Sequence, residues 1–326
     1  MRRRPTPAPQ RGAALLVAMV LVSVVATLAA GMVWQQWKAV QIEAAERSRV
    51  QSAWILHGAL DWARLILRED ARSGKPTSLL EPWATPLAEA RLSTFLAADK
   101  DHNSDIDLDA FLSGSIVDAQ SRYNLRNLFP EGKKDPAQLA MLQRLCSAAG
   151  LSPAVATQIA DGLAAAWGVD GKSDAAAEDA PLAPRRWDDL AWLGLDAVSR
   201  ERLAPLVVLL PEPTPLNLNT ASREVLAAVI PGLDLGAADR LVQARQRAAF
   251  NDPAAAAALL GSSVTLQQPL ADVKSSWFEV TGRMRLGERV LQERSLLQRR
   301  GLEVRVVQRE RQVAQVATAA AALPSR

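Results

Sequence analysis

Between Ala13 and Trp37 the chain runs for 25 residues without a charge, AALLVAMVLVSVVATLAAGMVWQQW. A helix rises about 1.5 Å per residue, so the run is long enough to cross the roughly 30 Å hydrocarbon core of a bilayer. Backbone polar groups find no water in that core, which leaves a helix as the solution for a single segment. Arg2, Arg3, Arg4 and Arg11 precede the run, and Lys38, Glu43 and Glu46 follow it. Arginines beside a first apolar segment stay cytoplasmic, so the rest of the chain is expected on the far side of the membrane. A cleaved secretory signal, with a small-x-small site around Ala26 to Gly31, is the alternative. The length of the run and its abrupt start at Arg11-Gly12-Ala13 weigh against it.

The helical pattern continues beyond the apolar run. No proline occurs from Ala39 to Arg72, and Val50, Ala53, Trp54, Leu56, Leu60, Ala63, Leu65 and Leu67 recur at amphipathic spacing. Ser73-Gly74-Lys75-Pro76 is a stop signal. One helix from about residue 13 to about residue 72 is therefore expected, roughly 90 Å long. Trp54, Trp62 and His57 are expected to pack a globular head against its second half.

Beyond Pro82 the pattern changes. Leu112 to Leu128 reads as strand plus turn. Helices are expected over Pro136 to Ala149, Pro153 to Trp167 and within Leu195 to Leu210, with a proline-rich joint at Pro211 to Pro215. Two short helices should flank Pro231-Gly232. Alternation returns over Ser276 to Gly301 and Leu302 to Arg311, and the residues from Val313 look disordered. The order of long helix, strands, helices and strands predicts an α+β fold: a small antiparallel sheet interrupted by a helical insertion. An isolated hairpin is marginal, so the late strands need the early ones.

The formal net charge of +3 suggests nucleic acid only until its distribution is read. The four leading arginines stand without an acid, and Arg283 to Arg311 holds nine arginines against four glutamates. Residues 13–282 carry 24 basic and 31 acidic side chains, a balance of −7. The body is acidic, and the basic excess sits at the two ends. One cysteine, Cys146, excludes an internal disulfide and a cysteine zinc cluster. The two histidines, His57 and His102, lie near no recognisable nucleophile, and there is no phosphate loop, so no enzyme is expected.

A short basic leader ending in glycine, followed at once by a long apolar helix, resembles the leader of type IV pilins and pseudopilins. The resemblance implies a prepilin peptidase that cuts between Gly12 and Ala13 and methylates Ala13. Most members carry a glutamate as the fifth mature residue; here Val17 stands there. A carboxylate in the membrane is costly unless paired, and a first subunit has no predecessor to pair with. Three further segments are similar to the minor pseudopilin K family of type II secretion systems. They are Asp118-Ala119-Gln120-Ser121-Arg122-Tyr123-Asn124-Leu125-Arg126-Asn127-Leu128, Asn217-Leu218-Asn219-Thr220-Ala221 and Ser275-Ser276-Trp277-Phe278.

That resemblance implies a pilin-like long N-terminal helix, half transmembrane and half packed, on a small antiparallel sheet with an inserted all-helical domain. The corresponding segments are a leader at 1–12, a transmembrane helix at 13–37, a pilin-like part at 38–130, a helical insertion at 131–255, closing strands at 256–311 and a tail at 312–326. It implies the inner membrane with a periplasmic head as location. Minor pseudopilins I and J, and through them the major pseudopilin, are the implied partners. The role implied is the tip complex that initiates and caps the pseudopilus for export of folded proteins.

Removing residues 1–12 leaves 34 basic against 35 acidic residues, so the mature chain has no basic excess, and no nucleic acid partner is expected. The rival reading is an exported helix-hairpin-helix DNA-binding or DNA-uptake protein, built on Pro231-Gly232-Leu233-Asp234-Leu235-Gly236 with Arg240, Arg245 and Arg247. Such hairpins aim backbone amides at a phosphate, and the carboxylate of Asp234 would oppose one.

Two acidic stretches invite calcium. Asp99 to Asp109 has alternating oxygen ligands, but Ser104 replaces the turn glycine and Ala110 the bidentate glutamate of an EF-hand, so it reads as a solvated loop. The family resemblance implies a second site with Asp161, Asp170, Glu178 and Asp179, and Asp174 beside them.

Overall fold

The computed structural model describes residues 11–92, 110–169, 181–260, 270–286 and 289–315. Helix α1 runs unbroken over Arg11–Arg72. The chain divides into two units, Met1–Ile55 and Leu56–Arg326, and α1 contributes to both.

In the first unit the apolar side chains from Leu15 to Ile42 are exposed around the whole helix, and the helix is long and apolar enough to cross a membrane. Its two hydroxyls within the apolar run are satisfied internally. Ser23 Oγ donates to the Met19 carbonyl at 2.9 Å and Thr27 Oγ1 to the Val24 carbonyl at 2.8 Å. The run closes with the Lys38 ammonium 3.5 Å over the Trp34 ring, an aromatic and a cation suited to a lipid–water boundary.

The second unit is built on five antiparallel strands: β1 (Leu87–Arg91), β2 (Ala110–Asp118), β7 (Trp277–Leu286), β8 (Arg289–Arg300) and β9 (Glu303–Gln315). Their spatial order is β1-β2-β7-β8-β9. The chain leaves the sheet after β2 and re-enters at β7, its direct neighbour. Between them lie short strands β3 (Tyr123–Asn124), β4 (Val207–Val208), β5 (Leu216–Asn217) and β6 (Ala271–Asp272), paired in parallel as β3-β4 and β5-β6.

The same excursion holds helices α2 (Pro136–Ala148), α3 (Ala154–Trp167), α4 (Ala197–Leu203), α5 (Arg223–Val229), α6 (Leu235–Arg247) and α7 (Pro253–Ala257). Asp135, Asp196, Ser222, Asp234 and Asp252 cap α2, α4, α5, α6 and α7 through their side-chain oxygens. Leu142, Leu145, Ile159, Leu163, Leu226, Val229 and Leu241 belong to one continuous helical core.

A smaller core lies under α1. Leu60, Ala63 and Leu67 meet Phe278, Val280, Leu297 and Val304 of the sheet, and Trp83 meets Phe278 edge-on at 5.4 Å. With Leu56 they form the buried stripe of the amphipathic helix. Contrary to expectation, Trp54 and Trp62 do not pack the head: they are 71% and 53% exposed, and His57 is half-exposed, 3.7 Å from Asp61. The helix turns its branched aliphatic residues to the sheet and leaves both indoles outward.

The helix expected within Leu195 to Leu210 is α4, which ends at Leu203, before Pro205, which has no amide to donate; Val207–Val208 is β4 beside Tyr123–Asn124. One other expectation shifts. β9 runs to Gln315, into the stretch read as a tail, because β8 supplies partners up to Arg289↔Gln315.

Gly114 and Gly282 face each other across β2 and β7. A Cβ on Gly114 would lie 2.9 Å from the Thr281 carbonyl, a backbone atom that cannot rotate away. Gly114→Ala should therefore destabilise the chain by about 1–3 kcal/mol. Gly58→Ala, with nothing within 4 Å of the new methyl, should be neutral or stabilising by about 0.5–1 kcal/mol. Thermal unfolding of the detergent-solubilised protein distinguishes the two.

Candidate functional site

The three motifs that stand out in the sequence converge on one carboxylate. Asp118 ends β2 and is buried. Its Oδ1 accepts from the Gln120 amide at 2.9 Å, and its Oδ2 accepts from Asn217 Nδ2 at 2.8 Å, Thr220 Oγ1 at 2.6 Å and Ser275 Oγ at 2.6 Å. Asn217 and Thr220 come from the segment leading into α5, and Ser275 from the segment leading into β7. Burial pushes the Asp118 carboxyl up, and the four donated bonds only partly oppose it. A buried acid is tolerable here because its lone pairs are met.

A second layer ties this carboxylate to the end of α1. Ser275 donates its amide to Thr77 Oγ1, which also accepts from Arg299 at 2.9 Å. Arg299 further bonds Asp70 and the Leu67 carbonyl of α1 and the Ser275 carbonyl, with its guanidinium 4.7 Å from the Phe278 ring centre. Asn217 Nδ2 reaches the Thr77 carbonyl at 3.1 Å. Four segments distant in sequence are thus held by one polar network.

The amides of the family-like motifs do structural work of the same kind. Asn124 bonds Leu210 and Glu212, Asn127 forms a reciprocal pair with the Thr214 backbone, and Asn219 does so with Phe250. Ser222 caps α5, accepting from the Val225 amide at 3.3 Å. Glu212, in the proline joint, accepts from Trp277 Nε1 and Gln298 Nε2, a role its sequence context does not announce.

The basic closing strands are largely neutralised within the fold. Arg285 pairs with Glu89 at 2.7 Å, Arg305 with Glu303 at 2.6 Å, and Arg309 and Arg311 share the buried Glu293 at 3.2 and 2.6 Å. The charge cluster seen in the sequence is therefore mostly an internal ion-pair set.

The hairpin of the rival reading is closed to phosphate. Asp234 Oδ1 accepts from the Ala237 amide at 2.6 Å, so a carboxylate occupies the N-terminus of α6. Arg245 is buried and donates to the Leu218 carbonyl at 2.6 Å; burial lowers it to about 10, so it remains a cation at neutral pH, committed inside the fold. Arg240 and Arg247 stay on the surface.

Gly12 and Ala13 lie in the first turn of α1. Asp161 sits on α3 with its carboxylate 2.6 Å from Lys134 Nζ. Asp170, Asp174, Glu178 and Asp179 lie outside the described residues, as does the Asp99–Asp109 stretch. No cluster of three or more metal-ligating side chains occurs among the described residues. Cys146 is buried and its thiol is raised to about 11, so it is protonated at neutral pH.

Asp118→Ala would leave Asn217, Thr220 and Ser275 without their shared acceptor and should cost about 1–3 kcal/mol. The sign of the pH effect follows from the raised carboxyl. The folded state holds the proton more tightly than the unfolded chain, so this group's contribution is full below the ordinary value of 3.8 and is lost as pH rises through the folded value. Chemical denaturation across that range should show this downward slope in the wild type and its loss in Asp118→Asn.

Two family models, both described as "Type II secretion system (T2SS), protein K", match residues 121–212 and 216–274 respectively. A type II secretion system protein K from Pseudomonas aeruginosa is 33% identical over 264 residues, covering 74% of this chain and 74% of that protein. A type II secretion system protein K from Klebsiella pneumoniae is 28% identical over 330 residues, covering 92% and 96%. A solved structure, the GspK-GspI-GspJ complex of the enterotoxigenic Escherichia coli type 2 secretion system, aligns with a TM-score of 0.62. It is 20% identical, covering 82% of this chain and 98% of that one. By fold and by sequence, the chain belongs to the type II secretion system protein K family.

Proposed function

We propose that the chain is a minor pseudopilin that sits at the tip of the type II secretion pseudopilus, where it initiates and caps the fibre. The observation that carries this reading is the excursion between β2 and β7. Among the described residues it adds six helices between two neighbouring strands of a sheet that already packs against α1. A thin fibre of stacked subunits has no room to repeat such a bulk along its length, whereas its end does. Val17 supports the same position, since a first subunit has no predecessor's amine to pair with a carboxylate. The solved relative is titled as a complex with GspI and GspJ, and this chain is assigned the equivalent partners, with the major pseudopilin reached through them. Its role is structural, not enzymatic.

The location assigned is the inner membrane, crossed by α1 with the arginines inside and the head in the periplasm. Prepilin peptidase is assigned the bond between Gly12 and Ala13 and the methylation of Ala13. Gly12→Leu should leave the leader attached, abolish the mature form and stop secretion. N-terminal sequencing of the membrane-extracted protein checks this. A mature start at Ala13 in the variant, or a wild-type start near Gly31, would sink the assignment.

Calcium at Asp161, Asp170, Glu178 and Asp179 is proposed as a stabiliser of the helical part. Only Asp161 of that set is described, and an ion there would have to replace Lys134 as its partner. Calorimetric titration of calcium chloride into the solubilised protein should give saturable heat, and no heat at millimolar calcium removes the site.

A further inference from the structure

The chain passes from the sheet to the helical part and back at one place. It leaves after Asp118, the last residue of β2, and returns at Trp277, the first of β7. Asp118 stands opposite Phe278 across those neighbouring strands, so the two crossings lie side by side. Two adjacent crossings at one end of a contact are the topology of a hinge. The bonds to Asp118 from Asn217, Thr220 and Ser275 lie at these crossings, where an axis would run.

Away from the crossings the contact changes character. Neither of the two larger apolar cores extends across it. What crosses is a small cluster of Ala119, Val208 and Leu210 with Trp277, and Leu296 against it. Further out, the helical part and the sheet face opposite α1 stand apart around a cleft of about 310 Å³. That is far above the roughly 10–15 Å³ that one water needs, so the outer seam has room for solvent where a core would be packed.

Two ion pairs span the seam. Arg122, close to the crossings, lies 2.8 Å from Glu279, and Arg186 lies 3.8 Å from Glu310 on the edge strand β9. The outer pair can separate without leaving either group alone. At 3.8 Å it is too long for a hydrogen bond, and Arg186 is half-exposed. Arg186 donates through Nε and Nη2 to Asp189 on its own side, and Glu310 accepts from Gln308 on its own strand at 2.6 Å. Opening therefore strands no unpaired charge. Asp189 also accepts the Arg185 and Arg186 amides, which ties the loop carrying Arg186 to the helical part.

We propose that the helical part rocks on the sheet about the Asp118 axis, with the Arg186–Glu310 pair as the latch that closes the outer seam. The docked pose is the resting state, and the hydrogen bonds at the axis persist when the seam opens. The proposal stands apart from the fibre-tip reading, because it concerns a motion within the subunit and not where the subunit sits.

The test uses the full chain in detergent with spin labels at Val198→Cys on α4 and Gln312→Cys on β9, both exposed. The unmutated chain, whose one cysteine is buried, is the labelling control. Pulsed dipolar spectroscopy reads the distance distribution. Screening shortens from about 10 Å at 0.1 M salt to about 3 Å at 1 M, so a second population should grow at least about twofold over that range. Glu310→Gln keeps an acceptor for Gln308 and should raise that population by at least about twofold at low salt, with a flatter salt response. Glu303→Gln, in an exposed pair with Arg305 outside the seam, should change nothing. A second label pair within the helical part, Val198→Cys with Arg240→Cys, should hold one distance throughout. The wild-type salt series tests the proposal even if a variant folds poorly. A single distribution indifferent to salt, no response to Glu310→Gln in a folded chain, an equal response to Glu303→Gln, or a matching change within the helical part would each overturn it.

Discussion

One buried carboxylate decides how this chain is put together. Asp118 cannot be desolvated alone, because an unpaired ion in the interior is far too costly. Its solution is to draw donors from three places: its own turn, the Asn217–Thr220 segment and Ser275. Those segments can supply donors only if the helical excursion starts and ends beside β2 and β7, which is where the sheet order puts it. The second layer, from Thr77 through Arg299 to Asp70, brings the end of α1 to the same point. Apolar burial alone is non-directional and would tolerate several docking angles for the helical part. Hydrogen bonds of fixed geometry select one.

The two cores on either side of this junction have different tasks. The smaller one is a strip of three buried aliphatic residues of α1, Leu60, Ala63 and Leu67, packed on the sheet. The larger one, in the helical part, is continuous across α2, α3, α5 and α6. A polar junction between two apolar cores makes the union of the parts specific.

Much of this was legible in the residues themselves. The uncharged run, the Ser73-Gly74-Lys75-Pro76 stop and the 3.6-residue spacing of Leu56, Leu60, Ala63 and Leu67 define α1, because helix geometry and desolvation of backbone groups are local constraints. The helices from Pro136 and Pro153 were readable for the same reason, as were the closing strands. The failures were of another kind. Trp54 and Trp62 carry the same apolar signal as Leu56 and Leu60, and only the angle at which the helix meets the sheet decides which stripe is buried. Val207–Val208 became a strand because Tyr123–Asn124 lies beside it, a partner more than eighty residues away. The nine arginines of the closing strands read as a basic excess, and cross-strand and tertiary ion pairs consumed most of it.

The sequence by itself determined the membrane-length helix, the asymmetric charge around it, the order of elements and the segments that mark the family. Each of these is written in neighbouring residues, where spacing, capping and turn chemistry act over one or two helical turns. Tertiary structure alone decided that the three family-like segments share one acid. It also decided that Arg245 and Asp234 serve the fold instead of a phosphate. Those outcomes depend on which distant groups meet after burial. The cost of an unpaired polar group is set by its surroundings in space, and the order of residues along the chain does not state them.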